Sequence, residues 1–412
     1  MTKKASTPAL RFKGFTYTWE QRRLGEVLSL IKDGTHGTHQ DVEDGPLLLS
    51  AKNIKHGEIR WDNTDRRIAQ ADYEKIHSTF SLENGDILLT IVGSIGEVAI
   101  LRNSDGITFQ RSVAFLRPNK ELKSEFLYAE VLSEHFQKEL DNRKSTSAQP
   151  GIYLGDLGEI PFTFPKDIAE QKQIGAYFRN LDRLITLHQR KYDKLTNMKK
   201  SMLEKMFPKN GANVPEIRFK GFTDAWEQRK LGEAVQEVTR NDATSDAPIM
   251  MITANNGFIE QSERYAFNNA GESLKKYILL EKGELAYNHG ASKLRPYGSC
   301  FTLTTSENAR IPFVYHCFSA DEQNSEFLSI ELNGADVENQ LRRIVSSGAR
   351  MDGLLNISFQ EYVSVSVLLP TIEEQNKIAD FFKNLDNLIT LHQRELEKLK
   401  NLKKACLEKM FV

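Results

Sequence analysis

The segments EQKQIGAYFRNLDRLITLHQRKYDKLTNMKKSMLEKMF (170–207) and EQNKIADFFKNLDNLITLHQRELEKLKNLKKACLEKMF (374–411) are nearly the same helix-forming stretch, repeated at an offset of 204 positions. A second pair leads each half: RFKGFTYTWEQRRLGE (11–26) and RFKGFTDAWEQRKLGE (218–233), offset by 207. Between these blocks the two halves of the 412-residue chain hardly agree. Two kept frames around two diverged inserts point to one kind of partner contacted twice and two different ligands read once each.

The 170–207 segment carries Ile174, Tyr177, Leu181, Leu184, His188, Leu195, Met198 and Met202 at three-four spacing, with Phe178, Ile185, Tyr192 and Met206 widening the stripe. Its counterpart repeats the pattern with Ile378, Phe381, Leu385, Leu388, His392, Leu399, Leu402 and Cys406. Such stripes are coiled-coil seams. Asp167 before Glu170, and Thr371 before Glu374, have the spacing of capping boxes. Each helix, with about 40 residues, would reach about 60 Å. Two equal helices with one seam each are expected to pack on one another, and His188 and His392 could fix their register.

The inserts read as mixed and β-rich. Short apolar runs between turn residues recur around Pro46, Gly85, Gly96 and Thr108, and again around Pro248, Gly283, Ser299 and Pro312. A helical stretch follows late in each, near 121–142 and 324–345. Strand-like pieces at Ile160 and Val363 lead into the long helices. The expected class is α+β: two similar mixed α/β, β-rich domains separated by two long antiparallel coiled-coil helices with pseudo-twofold symmetry. Boundaries fall at 1–165, 166–210, 211–370 and 371–412.

Composition is that of an ordinary globular protein, 40% hydrophobic and 27% charged, with mean hydropathy −0.47. No apolar run suits a bilayer span, and the lysine-bearing start lacks the apolar run of a signal peptide. Cys300, Cys317 and Cys406 are unpaired by spacing, which predicts a reducing cytoplasm and no membrane. The net charge of −1 argues against a strongly basic nucleic-acid binder. Charge is nevertheless uneven: 170–211 holds ten basic and four acidic residues, whereas the stretch from 373 holds eight and seven.

Catalytic motifs are missing from the sequence. There is no Walker A loop, no G-x-S-x-G elbow, no Asn/Asp-Pro-Pro-aromatic tetrapeptide and no zinc-spaced cysteine pair. His36 and His39 form an H-x-x-H, which without a third ligand reads as a polar loop. Gly93-Ser94-Ile95-Gly96 has the pattern of a backbone clamp, but a turn between strands is the simpler reading. Arg11-Phe-Lys-Gly-Phe has an RNA-binding flavour, yet its recurrence at Arg218 ties it to the frame, as does the recurrence of Trp19 at Trp226. Asp86 and Glu97 could mimic a nuclease pair, but the second copy offers only Glu284.

Taken together, the leading blocks, the repeated helices and the run IKDGTHGTH…LLSAKNI…GDILLTIVGSIG resemble the specificity subunits of type I restriction-modification enzymes over essentially the whole chain. The resemblance implies that each insert is a target recognition domain reading one half of a bipartite, asymmetric site in double-stranded DNA. It implies that the helices set the spacer, that two methyltransferase subunits dock on the frames, and that motor-restriction subunits join them. It also implies no catalysis and no cofactor on this chain, with S-adenosylmethionine, ATP and magnesium on the partners. Candidate DNA contacts are Lys32, Thr35, His36, Ser94, Arg111 and Gln149 in the first insert, and Asn288, Lys293, Arg295, Arg343 and Arg350 in the second. A twin-domain adaptor that reads no DNA is the runner-up; a self-sufficient nuclease is disfavoured by the missing motifs.

Overall fold

The computed structural model describes residues 7–145, 148, 150–209, 211–254, 257–264, 271–320, 322–345 and 354–412. It contains two compact units. The first comprises Met1–Lys191 with His392–Val412, and the second Tyr192–Leu391.

In the first unit a four-stranded antiparallel sheet runs in the order Leu28–Asp33, Val113–Pro118, Ile87–Thr90 and Val98–Ile100. The second unit repeats it with Gln236–Glu237, His316–Ser319, Leu285–Asn288 and Ser299–Thr302. The central strands are apolar at consecutive positions, because side chains on both faces are buried. Ile87, Leu89, Ala114 and Leu116 face a core shared with the helices, while Leu88, Val113 and Phe115 face a second core under the loops. Leu285 and Phe318, against Ala286 and Cys317, divide the same way in the second unit.

The late helical stretches each break in two: Ser124–Val131 and Glu134–Asn142, then Ser325–Leu332 and Ala335–Ile344. Ser133 causes the first break by capping the next helix, accepting from Phe136 N at 3.2 Å. Asn333 holds the second. Its amide donates to Ser329 O at 2.7 Å and its carbonyl accepts from Cys300 N at 3.1 Å.

The leading blocks act inside the fold. Glu20–Arg23 pairs with Pro161–Phe164, and Glu227–Lys230 with Ser366–Leu369, each just before a long helix. Arg11 grips Glu170 with two hydrogen bonds of 2.6 and 2.8 Å; Arg218 grips Glu374 with two of 2.7 Å. This corrects the capping-box reading, because both carboxylates are drawn to an arginine instead of turning back to their own N-caps. Gln171 and Gln375 then tie each helix start to the domain, donating to Pro165 O at 2.8 Å and Pro370 O at 2.9 Å. Trp19 packs edge-on to Phe126 and Phe411, and Trp226 edge-on to Phe327 and Phe207. Arginine, tryptophan, glutamate and glutamine therefore recur because the same junction is built twice.

The long helices are Ile168–Lys205 and Ile372–Lys409. Within the first unit Asp182 pairs with Lys403 at 2.6 Å, Tyr177 Oη lies 3.4 Å from Cys406 Sγ, and the Nδ1 atoms of His188 and His392 lie 3.1 Å apart. Ascending numbers meet descending ones, so the helices there run antiparallel. Within the second unit Lys199 meets Asp386 at 2.5 Å and Phe207 meets Phe382, again antiparallel.

The seam is phased differently from the sequence expectation. Ile174, Phe178, Leu181, Ile185, His188, Tyr192 and Leu195, with Ile378, Phe382, Leu385, Ile389, His392, Leu396 and Leu399, are buried or half-buried in strict heptads. Leu184 and Leu388, expected in the seam, are exposed. Apolar doublets such as Leu184-Ile185 offer two phases, each with a three-four repeat, and packing takes the one through Ile185. Among the described residues no helix is long and apolar enough to cross a membrane.

Candidate nucleic-acid interface

Four backbone segments converge at one end of the first unit's sheet. Gly34 N donates to Val113 O at 3.0 Å, and Thr35 N to Phe109 O at 2.8 Å. Arg111 N then donates to Thr35 O at 3.1 Å, and Ile91 N to Ser112 O at 2.9 Å. Ile152 N closes on Ile91 O at 3.0 Å. The segments at 34–39, 91–96, 110–113 and 150–152 are thereby locked together. Gly34 is obligatory, since an added Cβ would stand 2.1 Å from Phe109 O.

Arg111 occupies the turn Gln110–Val113, closed by Val113 N donating to Gln110 O at 3.1 Å. Its side chain is exposed and has no ion-pair partner among the described residues. His36 is exposed in the neighbouring loop and pairs with Asp33 at 2.7 Å. Ser94 is exposed in a plain strand turn, pinned by Thr90, whose hydroxyl donates to Ser94 O and accepts from Glu97 N at 2.9 Å. Thr35 is engaged internally: its hydroxyl meets His39 Nε2 at 2.9 Å and accepts from Gly37 N at 3.1 Å. Lys32 lies away from this end, its ammonium 4.3 Å from the Phe80 ring centre. Gln149 falls outside the described residues.

The second unit builds the same end with different side chains. Leu355 N donates to His289 O at 2.9 Å, as Ile152 does to Ile91. His289 Nε2 lies 2.7 Å from Val314 O, where Ile91 N meets Ser112 O in the first unit. Tyr315 N closes the turn Pro312–Tyr315 on Pro312 O at 2.9 Å. Lys293 is exposed at the tip of the loop that replaces the Ser94 turn. Asn288 and Arg295 have fold-holding partners. Asn288 donates to Ile252 O at 3.0 Å and accepts from Gly290 N at 2.9 Å, and Arg295 donates to Asn333 O at 2.8 Å. Arg343 is exposed in the last turn of Ala335–Ile344, and Arg350 falls outside the described residues.

The acids considered for catalysis are structural. Arg117 holds buried Asp86 through bonds of 2.7 and 2.8 Å, Glu97 accepts from His56 N at 3.0 Å, and Glu284 pairs with Arg240. Among the described residues no cluster of three or more His, Cys, Asp and Glu could hold a metal ion. Two other carboxyls lie deep and occupy matching helices. Glu130 is fully buried with no hydrogen-bond partner among the described residues, and desolvation drives its carboxyl well above the ordinary range. Burial pushes Glu331 up to about 7, against the Leu368 N–H that donates to it at 3.1 Å.

A family model described as type I restriction modification DNA specificity domain matches residues 17–197 and 224–401, one match in each half. The chain belongs to this family. It is 27% identical over 192 residues to the type I restriction enzyme MjaVIII specificity subunit of Methanocaldococcus jannaschii, an alignment covering 45% of this chain and 44% of that one. The chain thus spans under half the length of that relative. A second protein of the same archaeon, provisionally described as the specificity subunit of type I restriction enzyme MjaX, is 23% identical over 94% of this chain and 91% of its own. The crystal structure of a type I restriction-modification S subunit from M. genitalium matches with a TM-score of 0.58 at 16% identity, covering 98% of this chain and 99% of that one. At that identity the likeness establishes a shared fold.

Within this family fold, the sequence singles out Arg111 as a candidate but not the residue at the matching position of the second unit. The position equivalent to Arg111 in the second unit is Phe313, which stands 50% exposed. An aromatic inside the string PFVYHCF (312–318) reads as a buried strand residue. The signal that marks it is Pro312, which opens the turn. Leu294, 65% exposed beside Lys293, was hidden in the same way.

Proposed function

We propose that this chain is the DNA-reading, non-catalytic subunit of a type I restriction-modification complex, each unit reading one half of a bipartite, asymmetric duplex site. The observation that carries the proposal is the contrast inside the repeat. The junctions are kept nearly atom for atom, while corresponding loop ends carry Arg111 and Ser94 in one unit and Phe313 and Lys293 in the other. Divergent loops on a rigid scaffold are where recognition is expected.

The repeated helices also carry exposed leucines that the seam does not use. Leu184 and Leu187 in one helix correspond to Leu388 and Leu391 in the other, Leu187 being 46% and Leu391 52% exposed. Arg190 and Arg394 follow each pair and are exposed. In this reading they are the docks for two methyltransferase subunits, with motor-restriction subunits joining through them. Identical exposed apolar pairs mark a twice-used partner surface. The partners supply S-adenosylmethionine, ATP and magnesium, and the complex works in the cytoplasm. In this reading the helices set the spacer between the half-sites.

The test is to express the chain with its methyltransferase subunit and map methylated adenines across the host genome. Two unlike half-sites separated by a constant spacer are expected; scattered or single-block methylation would contradict the proposal. The near-neutral net charge favours a second reading, an adaptor that reads no DNA. The adaptor predicts no steep salt dependence of DNA binding by the complex, whereas a DNA reader predicts affinity falling with log salt.

A further inference from the structure

We infer that Phe313 reads its half-site by apolar contact with thymine methyl groups, at the position where the first unit presents Arg111. The inference rests on the DNA-reading role proposed above and adds the chemistry of one half-site.

The equivalence of the two positions is fixed by the turns they occupy and by the strand end those turns meet. Arg111 and Phe313 each follow the first residue of a four-residue turn, closed at 3.1 Å in one unit and 2.9 Å in the other. The residue after each, Ser112 or Val314, turns its carbonyl to the same strand end, to Ile91 N in one unit and to the His289 ring Nε2 in the other. That strand end is bridged in turn to Gly151 or Leu354. The backbone is therefore the same and the side chain differs in kind.

Phe313 is not a displaced core residue. Its near neighbour Tyr315 is buried, so this turn does deliver an aromatic to the core, and it chooses the other one. The adjacent loop adds a second exposed apolar group. Leu294 sits in the turn Ser292–Arg295, where Ser292 N donates to Arg295 O at 3.1 Å and Arg295 N to Ser292 Oγ at 3.0 Å. The Arg295 guanidinium anchors that turn from behind on Asn333 O at 2.8 Å. Lys293 stands exposed at the same tip, placed for a phosphate. Two exposed apolar side chains on hydrogen-bonded turns, with Lys293 next to Leu294, thus occupy the place where the first unit offers Arg111 and Ser94.

Base-edge chemistry assigns the ligands. A guanidinium suits the O6 and N7 acceptors of guanine, whereas the thymine C5-methyl is the apolar group that the major groove displays. A phenyl ring on a fixed turn gains by covering that methyl, and guanine offers it nothing comparable.

The experiment uses the complex of this chain with its methyltransferase subunits and a duplex carrying the site defined by the methylated adenines. Each thymine is replaced singly by deoxyuridine, which removes the methyl and keeps the pairing. Binding by the parent complex should weaken roughly four-fold at one or two thymines of a single half-site, the worth of one buried methyl. Phe313→Ala should bind thymine and uracil duplexes equally at those positions, and Phe313→Leu should restore part of the difference. An unchanged unfolding midpoint of Phe313→Ala verifies that the fold is intact. Uracil sensitivity absent from both half-sites, or persisting in Phe313→Ala, would overturn the inference. So would a Phe313-dependent rise in 2-aminopurine fluorescence, which marks insertion between bases. A complex that methylates no defined site would sink the DNA-reading proposal itself; a complex that binds its site without uracil sensitivity sinks only this inference.

Discussion

The junction at the start of each long helix and the loop end of each unit have had the same time to diverge, and they have diverged by very different amounts. At the junction, Arg11–Glu170 and Arg218–Glu374 keep the same two-bond geometry, and the tryptophans keep the same aromatic neighbours. At the loop end, equivalent turns carry Arg111 and Phe313, and equivalent loops differ in length. A buried ion pair tolerates no partial change, because losing one partner strands the other in a low-dielectric site. An exposed turn residue can change freely so long as the backbone closes. The difference teaches which residues hold the scaffold and which are free to carry specificity.

Breaking the junction should have the largest effect. Arg11→Ala leaves Glu170, 1% exposed, without its charge partner, and should cost about 3–5 kcal/mol. Arg218→Ala should do the same through Glu374, measured by urea unfolding of the intact chain. Equal losses would show that the frames are energetically equivalent as well as geometrically alike.

The buried carboxyls sharpen the comparison next. Glu331 is raised to about 7, so between the ordinary carboxylate value and that point the folded state keeps a proton that the unfolded chain has released. Stability is therefore fully present at low pH, falls as pH rises through this window, and levels off above about 7. Glu331→Gln should remove this fall and be more stable than the parent at pH about 8 by on the order of 2 kcal/mol. Unfolding midpoints at acid and alkaline pH decide it. Glu130 is shifted in the same direction, so Glu130→Gln should act with the same sign in the first unit.

Arg111→Ala tests the loop end. It should leave stability unchanged and cost about 1–3 kcal/mol of binding, relaxing a single position in one half-site. A uniform loss over all sequences would mark a phosphate contact instead. The smallest effect belongs to the helix seam. His392 is held below its ordinary value by burial and then by His188 and Lys191, so acid should weaken the helix contact as pH falls through the ordinary histidine range. Replacing both histidines by leucine should abolish that acid sensitivity and add about 1 kcal/mol, at the expense of a unique register. Unfolding at pH near 5.5 and 8 measures the first part.

Much of this was legible in the sequence, for reasons that particular residues make clear. The repeated glutamates, tryptophans and helix stripes announced two copies of one scaffold because buried partners must be kept together. The seam's phase was not legible: Tyr177-Phe178 and Leu184-Ile185 are apolar doublets, and only packing against the opposite helix selects the second member. Arg111 could be picked out as a charged residue beside a turn. Asn288 and Arg295 could not be told from contacts to DNA, because their fold-holding partners lie far away in sequence at Ile252 and Asn333. Phe313 was invisible for the opposite reason, since an aromatic in an apolar run looks buried until the turn exposes it.

The central claim is that two equivalent loop ends read two different half-sites. Mapping methylated adenines genome-wide for the parent, Arg111→Ala and Phe313→Ala complexes tests it most directly. The account predicts a bipartite asymmetric site for the parent, with Arg111→Ala relaxing one half and Phe313→Ala relaxing only the other. Both substitutions acting on the same half, or neither altering the site, would contradict it.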